Sequence, residues 1–399
     1  MNPDLQKLQA YPFEKLRELV AQPYQGSLQP VSMAVGEPRH ATPGNILDAY
    51  SRNLAQLDRY PTTHGSEALR KSCADWLRKR FELPGQVIHE HVNILPVNGT
   101  REALFACAQC IVDPALDPVV LIPNPFYQIY EGAALLAGAR PVYYNCEVVD
   151  DDIPALWELD QETWRRCQLV YLCTPGNPTG EIAPHATLQK LIEFSKKYSF
   201  VIASDECYSE IYPPAGRPPM GLLHSCLRSG DDTLQNCLAF YSLSKRSNVP
   251  GMRSGFVAGN SYLISQFLRY RTYHGCTMPM PVQAASITAW SDEGHVEQNR
   301  RLYQEKFETV LEVLGDILSC KRPDAGFYLW PKLPMDDQEF ARLLYAKKNV
   351  MTLPGSYLAR TVAGFNPGHQ RVRLALVATG PECLHAATRI REFLQEPGI

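Results

Sequence analysis

The sequence predicts an α/β protein, with a large lobe built on a mainly parallel central sheet flanked by helices and a smaller α+β lobe. Three observations carry this. From about residue 45 to 285 short apolar runs alternate with amphipathic stretches: VVLIP at 119–123, LVYLC at 169–173, FVIASDE at 200–206, LAFYSLS at 238–244 and SGFVAG at 254–259. Such alternation is the rhythm of βαβ units. After about 286 the text changes to a long helical pattern, HVEQNRRLYQEKFETVLEVLGDIL, followed by short strands around GFYLWPKL, NVMTLPG and QRVRLALV. The least ordinary residues of the chain stand just beyond the ends of the apolar runs, where sheets of this kind bind ligands. A length of 399 residues also asks for more than one small core. The expected division is a large domain at 45–285 and a small one made of 1–44 and 286–399.

Bulk composition narrows the partners. The formal net charge is −3, which leaves no electrostatic footprint for nucleic acid or an anionic membrane and points to small molecules. The start, MNPDLQKLQAYPFEKLREL, lacks a basic region followed by a long apolar one, and no later run is apolar enough to span a bilayer. A cytoplasmic protein is the expectation. Twelve cysteines are scattered singly through apolar segments, as reduced core residues are. Cys107 and Cys110 form a C-x-x-C inside helical text, and HEH at 89–91 reads as a polar turn before a strand; neither predicts a metal site.

Five strand ends carry residues that each admit an ordinary reading and a chemical one. NGTREAL, 98–104, is a glycine turn opening a helix, whose free N–H groups either cap it or seat a phosphate. PNPFYQIY, 123–130, is an aromatic cluster, packed in the core or offering Tyr127 to a planar ring. TPGNPTG, 174–180, is dense in turn formers; Asn177 braces that loop or presents its amide to a ligand. SDECYSEI, 204–211, places Asp205 at the end of an apolar run, as a helix cap or as partner to a buried cation or protonated nitrogen, since an unpaired buried charge is costly. Tyr208, three residues on, faces the same way if a helical turn begins there. In YSLSKRSNVPGMRSGF, 241–256, Lys245 sits between serines in text of core strand and tight turn, whereas most lysines are on solvated faces. Together these fragments supply a phosphate seat, a stacking tyrosine, an anion for a ring nitrogen, an amide and a phenol for a ring oxygen, and a lysine. Those are the requirements of pyridoxal 5'-phosphate, held through a lysine and an acidic partner at its ring nitrogen.

Over essentially its whole length the sequence resembles the class I/II aminotransferases of fold type I. The matching pieces, in the family's order, are VGEP at 35–38, YPTTHGSEALR at 60–70, NGT at 98–100, PFY at 125–127, NPTG at 177–180, DExY at 205–208, SLSK at 242–245, GMR at 251–253 and VRL at 372–374. The resemblance implies that Lys245 carries the cofactor and shuttles a proton between Cα and C4′, and that Asp205 keeps the ring nitrogen protonated. It implies that Tyr208 and Asn177 bond the ring oxygen and that Tyr127 stacks on the ring. Thr100, the backbone of Arg101, Ser242 and Arg253 would bind the phosphate, with Tyr60 reaching over from a second subunit of a homodimer. Arg373 would grip the substrate α-carboxylate through two parallel hydrogen bonds, a geometry that guanidinium has and ammonium lacks. Gly36 would contact the same region by its backbone. Lys245, near pKa 10 when free, must be shifted down to act as a base, by Arg253 and partial burial.

Within the family the stretches GEPRH, LPVNGTREALFA, PNPFYQIYEGAALLAGA, SLSKRSNVPGMRSGFVAG, FLRYRTYHGC and PDAGFYLWP look most like proteobacterial N-succinyldiaminopimelate aminotransferases. That likeness implies transfer of an amino group between glutamate and N-succinyl-2-amino-6-oxopimelate, in lysine and diaminopimelate biosynthesis. Arg39 stands where the wider family has an aspartate after GEP; Arg39 or Arg101 would meet the distal or succinyl carboxylate, unless Arg39 is a surface ion-pair residue. An aminotransferase for aspartate or acetylornithine, or a β-lyase on the same cofactor, are the competing activities. A transcription-regulator relative would carry a DNA-binding segment, for which 44 N-terminal residues are too few.

Overall fold

The computed structural model describes residues 1–398. Seven strands form the central sheet. From one edge the order is Ile94–Val97, Gly255–Gly259, Cys237–Ser242, Val201–Asp205, Cys167–Cys173, Val119–Asn124 and Arg140–Asn145. All run parallel except Gly255–Gly259, which is antiparallel to both its neighbours. Five of the seven are the apolar runs read from the sequence. The two edge strands escaped that reading: Ile94–Val97 (ILPV) is apolar and buried but only four residues long and holds a proline, and Arg140–Asn145 (RPVYYN) is mostly half-buried and mixed in character.

Side-chain alternation divides the interior in two. Val119 and Leu121 enter one apolar cluster with Val170, Leu172, Ile202, Ala239 and Tyr241, while Val120 and Ile122 enter the other with Leu169, Tyr171, Ala203, Leu238 and Phe240. Successive residues of a strand point to opposite faces, and a parallel sheet covered on both faces therefore reads as an unbroken apolar run. The covering helices begin where capping chemistry allows. Ser66 Oγ accepts from the Leu69 N–H at the head of Glu67–Arg80, whose last turn is Arg78, Lys79 and Arg80, complementing the helix dipole at both ends. HEH lies in a turn, with Glu90 paired to Arg78 at 2.9 Å.

A third cluster is separate: Val31, Met33, Phe307, Val310, Leu329, Leu344, Val372, Leu374, Ile390 and Phe393 are among its buried members. It is framed by the helices Gly294–Leu314, Asp337–Lys348 and Gly380–Leu394. Small sheets complete it: Val31–Ser32 runs parallel with Val350–Met351, and Val372–Ala375 lies antiparallel between Leu353–Pro354 and Tyr328–Leu329. Val31 and Met33 of the N-terminal stretch join this cluster. The first turn of the chain does not: the 3₁₀ helix Pro3–Lys7 lies against the helix Ile129–Leu136 beside the central sheet. No helix among the described residues is long and apolar enough to cross a membrane.

Candidate active site

A cavity of about 480 Å³ opens at the carboxyl ends of the central strands, between the sheet and the third cluster. At its floor Asp205 ends its strand, 4% exposed. Its Oδ2 accepts from the Tyr130 hydroxyl at 2.7 Å and its Oδ1 from the Cys207 N–H at 3.3 Å. Burial raises its pKa against these donors and against the nearby Lys245 charge, all of which lower it. A carboxyl in that setting favours a cationic partner in the cavity. Tyr208 follows within the same turn, edge-on to Phe327 and Tyr328, with its hydroxyl 3.0 Å from that of Tyr328.

Lys245 enters from the short helix Leu243–Arg246, which begins directly after the strand Cys237–Ser242 and is capped by Ser242 Oγ accepting from the Ser244 N–H at 3.1 Å. Its Nζ donates to the Gly36 carbonyl at 2.6 Å. Its pKa is pulled down to about 8, foremost by burial and then by the Arg373 cation, with Arg253 a smaller contributor and Cys207 and Glu37 opposing. The downward shift matches the sequence expectation, but burial and Arg373 outweigh the Arg253 charge named there. A larger residue at Gly36 would displace Tyr328, because a Cβ there would stand 1.9 Å from Tyr328 Oη.

One wall is made for an anion. The helix Thr100–Ile111 points its N-terminus into the cavity behind Gly99, which has φ +84°, and a Cβ on Gly99 would meet Arg253 Nη2 at 2.3 Å. The glycine is therefore needed both for the left-handed turn and for the approach of the guanidinium. Among the described residues Arg253 has no carboxylate partner within ion-pair distance; it bonds the Pro250 carbonyl at 2.9 Å and Ser244 Oγ at 3.5 Å. Thr100 and Ser242 line the same wall.

Opposite stands Arg373, 4% exposed, on the strand Val372–Ala375. Nη1 donates to Asn177 Oδ1 at 3.1 Å and Nη2 to the Ala34 carbonyl at 2.7 Å, while Nε is buried with no acceptor. Its guanidinium lies 4.6 Å from the Tyr328 ring centre. At the mouth Arg101 Nε donates to Tyr127 Oη at 2.6 Å, and Tyr11, Phe13, Val35 and Leu358 complete the rim. Burial raises the Tyr127 pKa and keeps its phenol protonated.

Of the residues singled out in the sequence, Gly36, Thr100, Arg101, Tyr127, Asn177, Asp205, Tyr208, Ser242, Lys245, Arg253 and Arg373 line this one cavity. Two do not. Tyr60 is 100% exposed on the outer surface. Arg39 is exposed outside the cavity and lends its positive charge to the surroundings of Glu382 and Cys383, at the head of the last helix. Sequence reasoning missed Tyr130, Tyr328 and Tyr11. Tyr130 was within reach, for it stands three residues after Tyr127 in PNPFYQIY, one helical turn away.

The donor set fits pyridoxal phosphate: an uncompensated cation beside a helix N-terminus, a buried carboxyl, an amine of depressed basicity, and a buried guanidinium N–H left without an acceptor. Comparison with known proteins agrees. The family model "Aminotransferase class I and II" matches residues 29–390. An aminotransferase from Neisseria meningitidis Z2491 is 45% identical, covering 99% of this chain and 100% of its own, with a TM-score of 0.94. The aminotransferase AspB from Helicobacter pylori 26695 is 32% identical, covering 98% and 100%, with a TM-score of 0.86. An LL-diaminopimelate aminotransferase from Desulforudis audaxviator is 28% identical over 396 residues, 98% of this chain and 97% of its own. With Lys245, Asp205 and the anion wall gathered in one cavity and the family model spanning nearly the whole length, the chain belongs to the class I and II aminotransferases, pyridoxal-phosphate enzymes of fold type I.

Proposed function

We propose that this aminotransferase moves an amino group between glutamate/2-oxoglutarate and N-succinyl-LL-2,6-diaminopimelate/N-succinyl-2-amino-6-oxopimelate, in lysine and diaminopimelate biosynthesis. The observation that carries an amino-acid substrate is Arg373: a largely buried guanidinium that lines the cavity and whose fork geometry suits a carboxylate. It shares the cavity with the Lys245 amine, so a substrate held there by its carboxylate has its Cα–H near a base. An extended, carboxylate-ended substrate is supported by Arg101 at the mouth, and the diaminopimelate scaffold by the likeness to the LL-diaminopimelate aminotransferase.

Each residue then has a task. Thr100, the Arg101 N–H, Ser242 and Arg253 would hold the phosphate, Tyr127 would lie against the ring, Asn177 and Tyr208 would bond its oxygen, Asp205 would pair with its nitrogen, and Lys245 would carry it. Bound in this way, pyridoxal phosphate supplies a sink for the electron pair left when the substrate Cα–H is broken. Lys245, once freed, would take that proton from Cα and return it at C4′, a role for which an amine of pKa about 8 is far better poised than a free lysine. Gly36 contributes its carbonyl, which holds the free Lys245 Nζ and which that nitrogen would leave on joining the cofactor.

The enzyme is further proposed to act as a cytoplasmic homodimer in which Tyr60 reaches the phosphate of a second copy. The fully exposed Tyr60 supports this, as do the exposed Leu47, Leu54 and Leu57 that precede it. The division into a large domain of 45–285 and a small one of 1–44 with 286–399 is proposed as well, supported by the separate third cluster and qualified by the 3₁₀ helix Pro3–Lys7 against Ile129–Leu136.

A second reading, unacylated LL-diaminopimelate as the amino donor, is favoured by the name of the relative from Desulforudis audaxviator. A screen of donors with 2-oxoglutarate separates them. The first reading requires glutamate formation from N-succinyl-LL-2,6-diaminopimelate with a kcat/KM above those of LL-diaminopimelate, aspartate and acetylornithine. Pyruvate and ammonia released without an acceptor would mark a lyase instead.

A further inference from the structure

GEPRH places an arginine outside the cavity, but its next residue turns inward. His40 Nδ1 lies 2.5 Å from Asn299 Oδ1. An amide oxygen only accepts, so Nδ1 carries the proton and Nε2 the lone pair, and Nε2 takes a hydrogen bond from Lys306 Nζ at 2.6 Å. Burial, the larger effect, and the Lys306 charge pull the His40 pKa down to about 4 against the Asn299 bond that raises it, so the ring stays neutral. The ring rests on Tyr303, 4.5 Å between centres.

Asn299, 2% exposed, hands this network on. Its Oδ1 also accepts from Asn248 Nδ2 at 3.2 Å, and its Nδ2 faces the carbonyls of Lys245 at 3.4 Å and Arg246 at 3.5 Å. That orientation is self-consistent, since carbonyls require the amide's donor side. Thr42 Oγ1 donates to the Asn248 carbonyl at 3.0 Å. Asn248 itself has φ +54°, a left-handed backbone that asparagine adopts more readily than other residues with a side chain. It stands between Lys245 and Arg253 in the chain. The segment that gives Gly36 to the Lys245 amine therefore also grips, through His40 and Thr42, the turn joining that lysine to the phosphate-facing arginine.

We infer that His40 and Asn299 are positioning residues that fix the Lys245–Arg253 turn from outside the cavity. This rests on the cofactor roles given to Lys245 and Arg253. The test compares wild type, His40→Leu, Asn299→Leu and His40→Asn by the dissociation constant of pyridoxal phosphate, the pH midpoint of its visible band and the Tm of each cofactor-free protein. Loss of one buried bond of this kind should raise the dissociation constant about tenfold and move the pH midpoint in both leucine variants. His40→Asn, which keeps one donor and one acceptor, should recover part of each change. Thr42→Val removes only the bond to the Asn248 carbonyl and should shift the same readouts less, which keeps the test decisive if a leucine variant does not fold. Wild-type affinity and midpoint in the variants, even with a lowered Tm, would overturn the inference. A wild type that forms no visible band would instead overturn the role of Lys245 itself.

Discussion

The floor and the mouth of the cavity are built on different terms. On the floor each reacting group is largely withdrawn from solvent and held by a neighbour: Asp205 by Tyr130 and a main-chain N–H, Lys245 by a carbonyl, Arg373 by Asn177 and Ala34. At the mouth Arg101 is exposed and is tied only to the phenol of Tyr127. A low-dielectric floor makes each charge expensive and each bond strong, and so fixes one chemistry. A solvated rim holds charges cheaply, and so can change its substrate without disturbing the floor.

Breaking the floor should therefore cost most. Lys245→Ala is expected to abolish both transamination and the visible cofactor band; unchanged turnover would remove the central assignment. The basicity of this lysine gives a second reading of the same site. With its pKa near 8, the amine is mostly protonated at pH 7 and mostly free at pH 9, so the rate at which cofactor-free protein combines with the aldehyde of pyridoxal phosphate should rise about tenfold over that range. A rise beginning only above pH 9 would mean that burial does not act as argued. Arg373→Lys comes next. It keeps the charge and loses the fork, and kcat/KM should fall about 100-fold for every amino-acid donor alike, measured by initial rates; a loss confined to one donor would place Arg373 elsewhere in recognition.

The same division explains what the sequence made legible. Strand ends are set by local pattern: an apolar run followed by Asp205 or by Ser242 and Lys245 can be read directly, and the sheet gathered those residues into one cavity. Tyr328 comes from a strand of two residues, which leaves no periodic signal, and Tyr11 stands just ahead of the helix Pro12–Leu19, outside any repeating pattern. Arg39 shows the converse. Charge and proximity to GEP suggested the cavity, yet the backbone turns the next residue, His40, inward and leaves Arg39 outside.

Tyr130→Phe sharpens the comparison from within the floor. The variant keeps the ring stacked on Tyr171, 4.6 Å between centres, and removes only the hydroxyl that donates to Asp205. One donor fewer leaves Asp205 a poorer anion, so the carboxyl pKa rises further and its hold on a protonated ring nitrogen weakens. The expected result is about a tenfold loss of cofactor affinity, followed through the visible band. Unchanged affinity would show that the Cys207 N–H suffices to keep the carboxylate charged.

The smallest effect is expected at the rim, and its selectivity matters more than its size. Arg101→Gln leaves the backbone N–H at the phosphate wall in place and removes the mouth's cation. An exposed ion pair contributes up to about 1 kcal/mol, so KM for N-succinyl-LL-2,6-diaminopimelate should rise about three- to fivefold. Raising the salt concentration should shrink the difference between variant and wild type, because screening removes most of what an exposed charge offers. Glutamate, too short to reach from Arg373 to the mouth, should keep its KM, and Arg39→Gln should change neither substrate. Equal losses for both donors would move Arg101 from the reading of the distal carboxylate to the support of Tyr127, and the mouth would then be part of the floor's machinery.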